Sequence, residues 1–316
     1  GIAYTVSYIK ELPIADGIRN YQYLDRLVAL YAEKGVALHR RQPGFLTGTN
    51  IPPCIAIAIG VLDALLAAAQ GVKQYGIELG QCLHLVQDAA AIAACEELVQ
   101  EYLRKKGWVD VLTPVTSLHW MGAWPYDDAQ CAALIVLGGT IAAVGGAVSV
   151  TTKSVDEAYG IPTAEKNAEG LRMTRMGIYL ARGMRLDGLP EYEREKELIR
   201  REVRAIVDKV LELGEGDAAI GTVRAFEAGV VDVPWSPNRH VKSRILPARD
   251  ARGYLRILDA AAVPIPKDVL GFHQAELRRT AQAAGVEFGS ELAVASVYEH
   301  SEPLAKLMTD KWFSRH

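Results

Sequence analysis

Residues able to do chemistry are concentrated just after four apolar segments of the chain. They are, in chain order, Thr47 and Gly48, Gly80 and Gln81, His119, Trp120 and Met121, and finally Lys153. Glycine permits close approach of the backbone to a ligand, and His119, Trp120 and Met121 offer a broad polarisable surface. This combination suits a large planar ligand, although His119 and Trp120 are equally compatible with capping an apolar core.

The fourth group pairs a cation with a carboxylate, because Glu157 follows Lys153 by four residues. Such a pair can hydrogen-bond the heteroatoms of a polar ligand. The alternative is an ordinary ion pair on the surface of a helix. The position of Lys153 directly after a predicted strand favours ligand binding.

Two tyrosines near the start of the chain form a second candidate site. If the segment is extended, Tyr4 and Tyr8 lie on the same face, because strand side chains alternate with period two. Two phenols that face one way can bind a carboxylate. An aromatic stripe in the core is the alternative.

Two basic clusters, at residues 39–41 and 239–244, carry side chains suited to phosphate or carboxylate. Simple solvent exposure is the alternative for the first cluster. The sequence lacks the dinucleotide-binding, P-loop, metalloprotease and hydrolase motifs, which argues against those enzyme classes. No two histidines have a metal-ligand spacing on one helix, so we expect no metal site.

The composition of the chain limits the kinds of partner that it can be expected to bind. The 316 residues carry a net charge of -3, so no overall positive field attracts nucleic acid or an anionic membrane. The apolar run 55–69 is interrupted by Asp63 and is too short to predict a membrane span. The 4 cysteines form no C-x-x-C pair, which predicts reduced core thiols in a cytoplasmic protein. The chain starts at Gly1 without a signal sequence, so we expect truncation or processing.

The elements that must position these residues alternate between strand and helix. Predicted strands are 45–49, 72–79, 109–118 and 147–153, and predicted helices are 16–34, 54–70, 85–105, 127–144 and 164–182. This alternation predicts an α/β fold with a parallel sheet. We interpret residues 1–185 as the last four β/α units of a TIM-type (β/α)8 barrel, whose active site lies at the C-terminal ends of the strands.

Residues 186–316 have a different composition. The segment 191–213 predicts a helix with one charged, solvated face, on which Glu193, Lys196, Glu197, Arg200, Arg201 and Arg204 are interleaved. The segment 221–266 shows little helical periodicity and is rich in Pro, Gly and Arg. We therefore predict a C-terminal α+β extension, an accessory module that packs on the barrel.

The sequence resembles the large, epsilon-type subunit of adenosylcobalamin-dependent glutamate mutase, also called methylaspartate mutase. The resemblance runs essentially from end to end. The matching segments are 1–8, 20–28, 46–53, 65–73, 80–82, 120–122, 153–163, 219–227 and 247–250.

The resemblance implies a barrel whose mouth meets a cobalamin, and a radical reaction that interconverts L-glutamate and (2S,3S)-3-methylaspartate. It implies that Tyr4 and Tyr8 are catalytic residues that contact substrate, and that Lys153 and Glu157 hold the adenosyl group. The other cofactor-binding residues that we predict are Thr47, His119, Met121 and Ile161. The cobalamin-binding D-x-H-x-x-G motif does not occur, so a separate small subunit is the expected cobalamin carrier.

The sequence also departs from the family pattern. The family's acidic residue near the migrating group and its carboxylate-binding arginines lie ahead of Gly1, so we expect the isolated chain to be inactive. Pro43-Gly44-Phe45 replaces the family's Phe-Gly-Pro, and Leu118 aligns with its histidine. Two alternatives therefore stay open: a non-catalytic half-barrel scaffold that pairs with a separate N-terminal half, and a related mutase for another amino acid. Self-association is a further expected contact, and neither nucleic acid nor a membrane is an expected partner.

Overall fold

The chain folds as an α/β protein around a parallel sheet. We describe it from a computed structural model, which describes residues 1–306 and the side chains through residue 298. The strands of this sheet are β1 (Arg40–Arg41), β2 (Tyr75–Gly80), β3 (Val115–Leu118) and β4 (Ser149–Thr151). Their spatial order is β1-β2-β3-β4, and every neighbouring pair is parallel.

This part of the chain forms six helices. Each helix that was predicted begins within three residues of its predicted start. The six helices are α1 (Ile2–Tyr8), α2 (Ile14–Glu33), α3 (Pro53–Ala69), α4 (Leu85–Lys105), α5 (Asp128–Gly145) and α6 (Ala164–Leu180). Side chains on α3 and α4 pack on the same face of the sheet, against Ile77 and Leu79 of β2. Helices on one face and strands in chain order are consistent with part of a β/α barrel.

The prediction of a strand at 45–49 is wrong. The first strand is Arg40–Arg41, and Thr47–Thr49 forms a short 3-10 helix. Strand β1 was not predicted because neither of its two residues is apolar. Its backbone pairs with β2, while Arg40 makes an ion pair of 3.0 Å with Asp25 of α2.

The other strands are shorter than predicted. Within 109–118 only Val115–Leu118 is a strand, because Pro114 has no backbone N–H to extend the ladder. Val109 is exposed, so its apolar character did not mark a buried strand. Within 147–153 the strand is Ser149–Thr151.

The C-terminal part combines helices with an antiparallel hairpin. Its elements are α7 (Pro190–Leu213), α8 (Ala218–Ala228), β5 (Leu246–Arg249), β6 (Leu255–Asp259), α9 (Lys267–Ala284) and α10 (Ser290–Lys306). Helix α8 lies in the segment that showed little helical periodicity, so that interpretation is wrong at its start. Buried Gly221 and Phe226 place this helix in the core.

Helix α7 has the charged, solvated face predicted for 191–213, on which Glu193, Glu197, Arg200, Arg201 and Arg204 are at least partly exposed, although Lys196 is mostly buried. Its apolar face packs in the main core, and Glu195 and Glu202 are buried there as well. Tyr102 of α4 donates a 2.7 Å hydrogen bond to Asp208. The C-terminal part therefore shares a core with the sheet and its helices. Residues 307–316 of the predicted module lie outside the described residues.

Two further expectations concern α5 and the cysteines. By length and composition α5 is apolar enough to cross a membrane, which the predicted absence of a span did not anticipate. In the structure it packs closely on α6, where a Cβ on Gly139 would lie 2.4 Å from the Thr174 carbonyl oxygen. In the described chain, 39% of this helix is buried. All the cysteines are free and buried, as predicted.

Candidate active site

A buried carboxylate lies at the centre of the sheet, on the face away from the helices, which we call the open face. Alternation along β2 directs Ile77 towards α3 and Glu78 to the open face. Thr151 of β4 donates a short hydrogen bond to Glu78 Oε1, and the Gly44 backbone N–H donates to Oε2 at 2.8 Å. Glu78 thus ties β4 and the loop after β1 to the middle of the sheet.

The two tyrosines share one face, but through a helix rather than a strand. Both belong to α1, and positions four apart in a helix coincide as they do in a strand. Their rings stack with centroids 5.1 Å apart. Tyr4 is 40% exposed and Tyr8 is 41% exposed, so they form no core stripe in the described chain.

The proton of Tyr8 is firmly held. Burial raises the pKa of its phenol, and the charges of Glu78 and Tyr4 raise it further. A phenol with a raised pKa stays a hydrogen-bond donor at neutral pH. Tyr8 can therefore act as a hydrogen-bond donor, and the predicted binding of a carboxylate by the two phenols stays a prediction.

Two loops interlock at the C-terminal end of the sheet. The Met121 backbone N–H donates to Thr47 Oγ1 at 3.3 Å, which joins the loop after β1 to the loop after β3. A Cβ on Gly48 would lie 2.6 Å from the Gly122 Cα, so neither loop has room for a larger residue. Thr47 is buried here, whereas Met121 is partly exposed.

His119 lies between the sheet and α5. The Lys153 backbone N–H donates to its Nδ1 at 3.4 Å, and Gly138 of α5 leaves space for the ring. Burial and then the Lys153 charge lower the pKa of His119 to about 4, so the ring is neutral at pH 7. Both His119 and Trp120 are 1% exposed, which agrees with the core-capping alternative. In the described part of the chain, His119 Nε2 is buried without a hydrogen-bond partner.

Lys153 and Glu157 form a partly exposed ion pair. Lys153 lies two residues after the end of β4, and Glu157 lies in the short 3-10 helix Val155–Ala158 rather than on an α-helix surface. Lys153 Nζ and Glu157 Oε1 are 2.6 Å apart, with the side chains 13% and 30% exposed. Both groups retain hydrogen-bonding capacity that a ligand can use.

An exposed apolar rim lies near this pair along the chain. Ile161 is 98% exposed. Tyr126 and Tyr159, which are also exposed, contact edge to face with centroids 5.4 Å apart, and the Tyr159 hydroxyl donates to the Tyr126 carbonyl. Such side chains offer contact area to a partner or a broad ligand.

The structure therefore brings together several of the predicted residues. Thr47 meets Met121, His119 meets Lys153, and Tyr8 lies near Glu78 two residues before the end of β2. Among the described residues, the structure shows no direct contact between Ile161 and the other predicted cofactor-binding residues. The described residues contain no group of three or more His, Cys, Asp or Glu that could hold a metal ion.

Sequence reasoning missed Glu78, Tyr126 and Tyr159. The available signal for Glu78 was a single acidic residue inside an apolar strand, which must find partners when buried. The two tyrosines carried no periodic signal. In the basic clusters, Arg40 pairs with Asp25 at 3.0 Å, Arg41 lies 3.7 Å from the Glu78 carboxylate, and Arg239 pairs with Glu11 at 2.7 Å.

Comparison with known proteins shows which family this chain belongs to. The profile of the family described as Methylaspartate mutase E chain (MutE) matches residues 1–304. The chain belongs to the methylaspartate mutase E chain family. This membership confirms the resemblance found in the sequence.

Curated relatives carry the name glutamate mutase epsilon subunit. The protein from Yersinia enterocolitica is 44% identical over 285 residues, which cover 90% of this chain and 59% of the relative. Those from Treponema denticola and Desulfitobacterium hafniense are each 42% identical over 94% of this chain, and the matches cover 61% and 62% of those proteins. The chain thus spans about three fifths of the length of these members of the methylaspartate mutase E chain family.

Proposed function

We propose that this chain forms part of the large subunit of an adenosylcobalamin-dependent mutase that interconverts L-glutamate and (2S,3S)-3-methylaspartate. The observation that carries the proposal is the pair of stacked, partly exposed phenols, Tyr4 and Tyr8. Donors that keep their protons are suited to a substrate carboxylate. Relatives named glutamate mutase epsilon subunit support the choice of substrate.

The residues present fit the proposed cofactor. An adenosyl group carries ring nitrogens and hydroxyls, and Lys153 with Glu157 provides both donors and acceptors for them. Met121 and Ile161 provide exposed apolar surface for the cobalamin ring system. Thr47 Oγ1 accepts the Met121 backbone N–H, and His119 Nδ1 accepts the Lys153 backbone N–H. These two buried residues therefore help to position Met121 and Lys153.

Adenosylcobalamin, when bound, supplies a carbon radical by homolysis of its cobalt–carbon bond. The residues of this chain bind and orient substrate and exclude water. Tyr8 holds its proton at Oη, and the hydroxyls of Tyr4 and Tyr8 donate hydrogen bonds to a carboxylate. Lys153 and Glu157 fix the adenosyl group at the end of β4.

We also propose that the sheet is completed by further strands into a TIM-type barrel. Within the described chain, β1 and β4 each have one neighbouring strand. The helices before β1 and after β4 expose large apolar side chains: Tyr23, Leu24, Leu27 and Leu30 on α2, and Leu171, Ile178 and Tyr179 on α6. An additional segment of the large subunit would bury them.

The proposed partner is a separate small subunit that carries cobalamin, and the exposed rim of Tyr126, Tyr159 and Ile161 is the proposed contact surface. We propose a cytoplasmic location because the cysteines are free thiols.

A second candidate keeps the reaction class and changes the amino acid. Phe45 is buried in the core, and Pro43 occupies the position of the family's aromatic residue. An altered pocket at this position favours a different substrate side chain.

The test uses a large subunit of the relatives' full length that contains this sequence, assembled with the small subunit and adenosylcobalamin. We expect turnover of L-glutamate, and a Tyr8→Phe variant should raise KM roughly ten- to a hundredfold, the effect of losing one hydrogen bond to a charged group. Tyr298→Phe, exposed on α10, is the control. The chain as given should be inactive. Turnover of another amino acid alone would favour the second candidate, and no turnover at all would favour the scaffold.

A further inference from the structure

The helix that carries the two tyrosines cannot position them by itself. Helix α1 has 7 residues, no side-chain cap at its N-cap residue and no acidic residue in its first turn. Isolated helices shorter than about 12 residues are marginal in water. Contacts from distant parts of the chain must therefore hold it.

The N-terminal end of α1 is held by a buried carboxylate. Asp63 lies within α3, where every neighbour from Ile57 to Ala68 is apolar and buried or nearly so. Its Oδ1 and Oδ2 accept the Ile2 backbone N–H at 2.8 and 3.0 Å. An anion at this position satisfies a free N–H and matches the helix dipole.

The C-terminal end of α1 is held by two side chains from the C-terminal part of the chain. Asn238 Nδ2 donates to the Thr5 carbonyl at 3.2 Å and to the Leu12 carbonyl at 3.0 Å. Ser236 Oγ donates to the Val6 carbonyl at 2.6 Å. These bonds fix the last turn, which carries Tyr8, from a loop more than 220 residues away.

That loop, residues 232–245, is itself rigidly closed. The buried Asp232 carboxylate accepts the backbone N–H groups of Val233, Ser243, Arg244 and Ile245 at 2.6–3.0 Å. Ser243 Oγ accepts the Ser236 N–H at 3.1 Å. The donors that reach α1 are thus preorganised and do not need ordering when they bind it.

We propose that Asp63 and loop 232–245 are a positioning clamp that sets substrate affinity by holding Tyr4 and Tyr8 in place. This inference rests on the proposed function, in which those phenols contact a substrate carboxylate. It gives part of the C-terminal segment a role in the site, although none of its side chains needs to touch substrate. A loosened helix would have to be ordered each time substrate binds, which weakens binding more than the later chemistry.

The first measurement is hydrogen–deuterium exchange on the chain as given. Asn238→Asp keeps the Oδ1 acceptor for the His240 N–H, 2.9 Å away, but removes the donor to α1. Asp63→Asn removes the charge at the other end, and Ser236→Ala is the mildest variant. We expect amide exchange in residues 2–8 to accelerate about tenfold, the effect of one lost hydrogen bond, while α3 stays protected.

Asp217→Asn is a matched control for Asp63→Asn. Asp217 caps α8 by accepting the Ala219 and Ile220 N–H groups at 2.7 and 2.9 Å, far from the tyrosines in the chain. We expect amide exchange in α8 to accelerate and amide exchange in residues 2–8 to stay unchanged. Unchanged exchange of residues 2–8 in the folded Asn238→Asp and Ser236→Ala variants would overturn the clamp.

The second measurement is kinetics on the assembled full-length enzyme. Asn238→Asp should raise KM about tenfold and leave kcat within about twofold. Combined with both Tyr4→Phe and Tyr8→Phe, it should add little to the KM effect of those two substitutions, because all three act on the same contacts. An additive effect, or an unchanged KM where Tyr8→Phe raises it, would overturn the role in substrate binding. If Tyr8→Phe itself leaves KM unchanged while exchange rises, the clamp stands and the proposed substrate contact fails.

Discussion

The molecule uses cation–carboxylate pairs in two regions that differ in access. Between α7 and the β5–β6 hairpin, Arg256 donates to both Glu195 oxygens at 2.8 Å and to Asp250 at 2.9 Å, and all three side chains are almost completely buried. At the end of β4, Lys153 and Glu157 form one contact and stay partly exposed. The first region has its charges fully paired, whereas the second retains capacity for a ligand.

This difference indicates that the buried ion pairs of Arg256 and the partly exposed Lys153–Glu157 pair have distinct roles. A buried charge that is completely paired costs desolvation, so its value lies in fixing one arrangement of its neighbours. Gln87 of α4 extends the buried network by exchanging two hydrogen bonds with Leu255 of β6. The buried network therefore positions the hairpin, while the open pair is available for binding.

Breaking the buried network should give the largest effect. Arg256→Met leaves Glu195 and Asp250 buried without their cation, and we expect a loss of about 3–5 kcal/mol in the free energy of unfolding. Urea titration of the purified chain measures it. Adding Glu195→Gln and Asp250→Asn should restore much of the loss by removing the unpaired charges.

Arg201→Met is the matched control. Arg201, on the same helix α7, makes two bonds of 2.8 Å to Asp268, but Arg201 is 38% exposed. Exposed pairs contribute little to stability, so we expect no measurable change. Equal losses for Arg201→Met and Arg256→Met would show that burial does not separate the two classes of pair.

The sequence predicted helices better than sites, and particular residues show why. Helix α4 was placed at its observed bounds because its apolar spacing has helical period. Strand β1 was missed because two arginines form it, and their stability depends on β2 and on Asp25. Local patterns carry no information on such distant partners.

The site was predictable only in part for the same reason. Tyr4 and Tyr8 were placed on one face by either strand or helix geometry. Glu195 and Glu202 were not singled out in the sequence, because their burial depends on distant partners, Arg256 and His273 of α9. Asn238 gave no signal, since its role depends on carbonyls near the opposite end of the chain.

The second prediction concerns pH and the edge of the buried network. Burial and then the charge of Glu195 raise the pKa of Glu202 to about 8 from the usual 4.5. Burial lowers the pKa of neighbouring His273 to about 3, and burial keeps the Cys54 thiol protonated, so neither changes charge near neutral pH. The His273–Glu202 contact at 3.6 Å therefore joins two neutral groups at pH 7.

Between pH 4.5 and 8 the unfolded chain releases a proton that folded Glu202 retains. Its contribution to stability is thus complete below pH 4.5 and is lost as pH rises to 8, by at most about 1.4 kcal/mol per pH unit. Glu202→Gln stays neutral and should flatten the pH dependence of the urea midpoint across this range. Glu197→Gln, exposed on the same helix, should leave the slope unchanged. Parallel curves for Glu202→Gln and the parent chain would contradict the raised pKa.

The smallest effect on stability, and the sharpest on ligand binding, is expected in the open region. Glu157→Gln keeps the size of the side chain and removes its charge, so the folded chain should unfold at nearly the same urea concentration. In the assembled enzyme, loss of one charge-assisted hydrogen bond of about 1.5–3 kcal/mol should slow the substrate-induced change in the cobalamin spectrum roughly ten- to a hundredfold. KM should change little, because the tyrosines that we propose contact substrate are intact. Glu193→Gln, which disrupts a comparable Lys–Glu pair at 3.2 Å on α7, is the control and should leave the spectrum unaffected. An unchanged rate and amplitude in Glu157→Gln would reduce the Lys153–Glu157 pair to a structural ion pair, and the two regions would then differ in exposure alone.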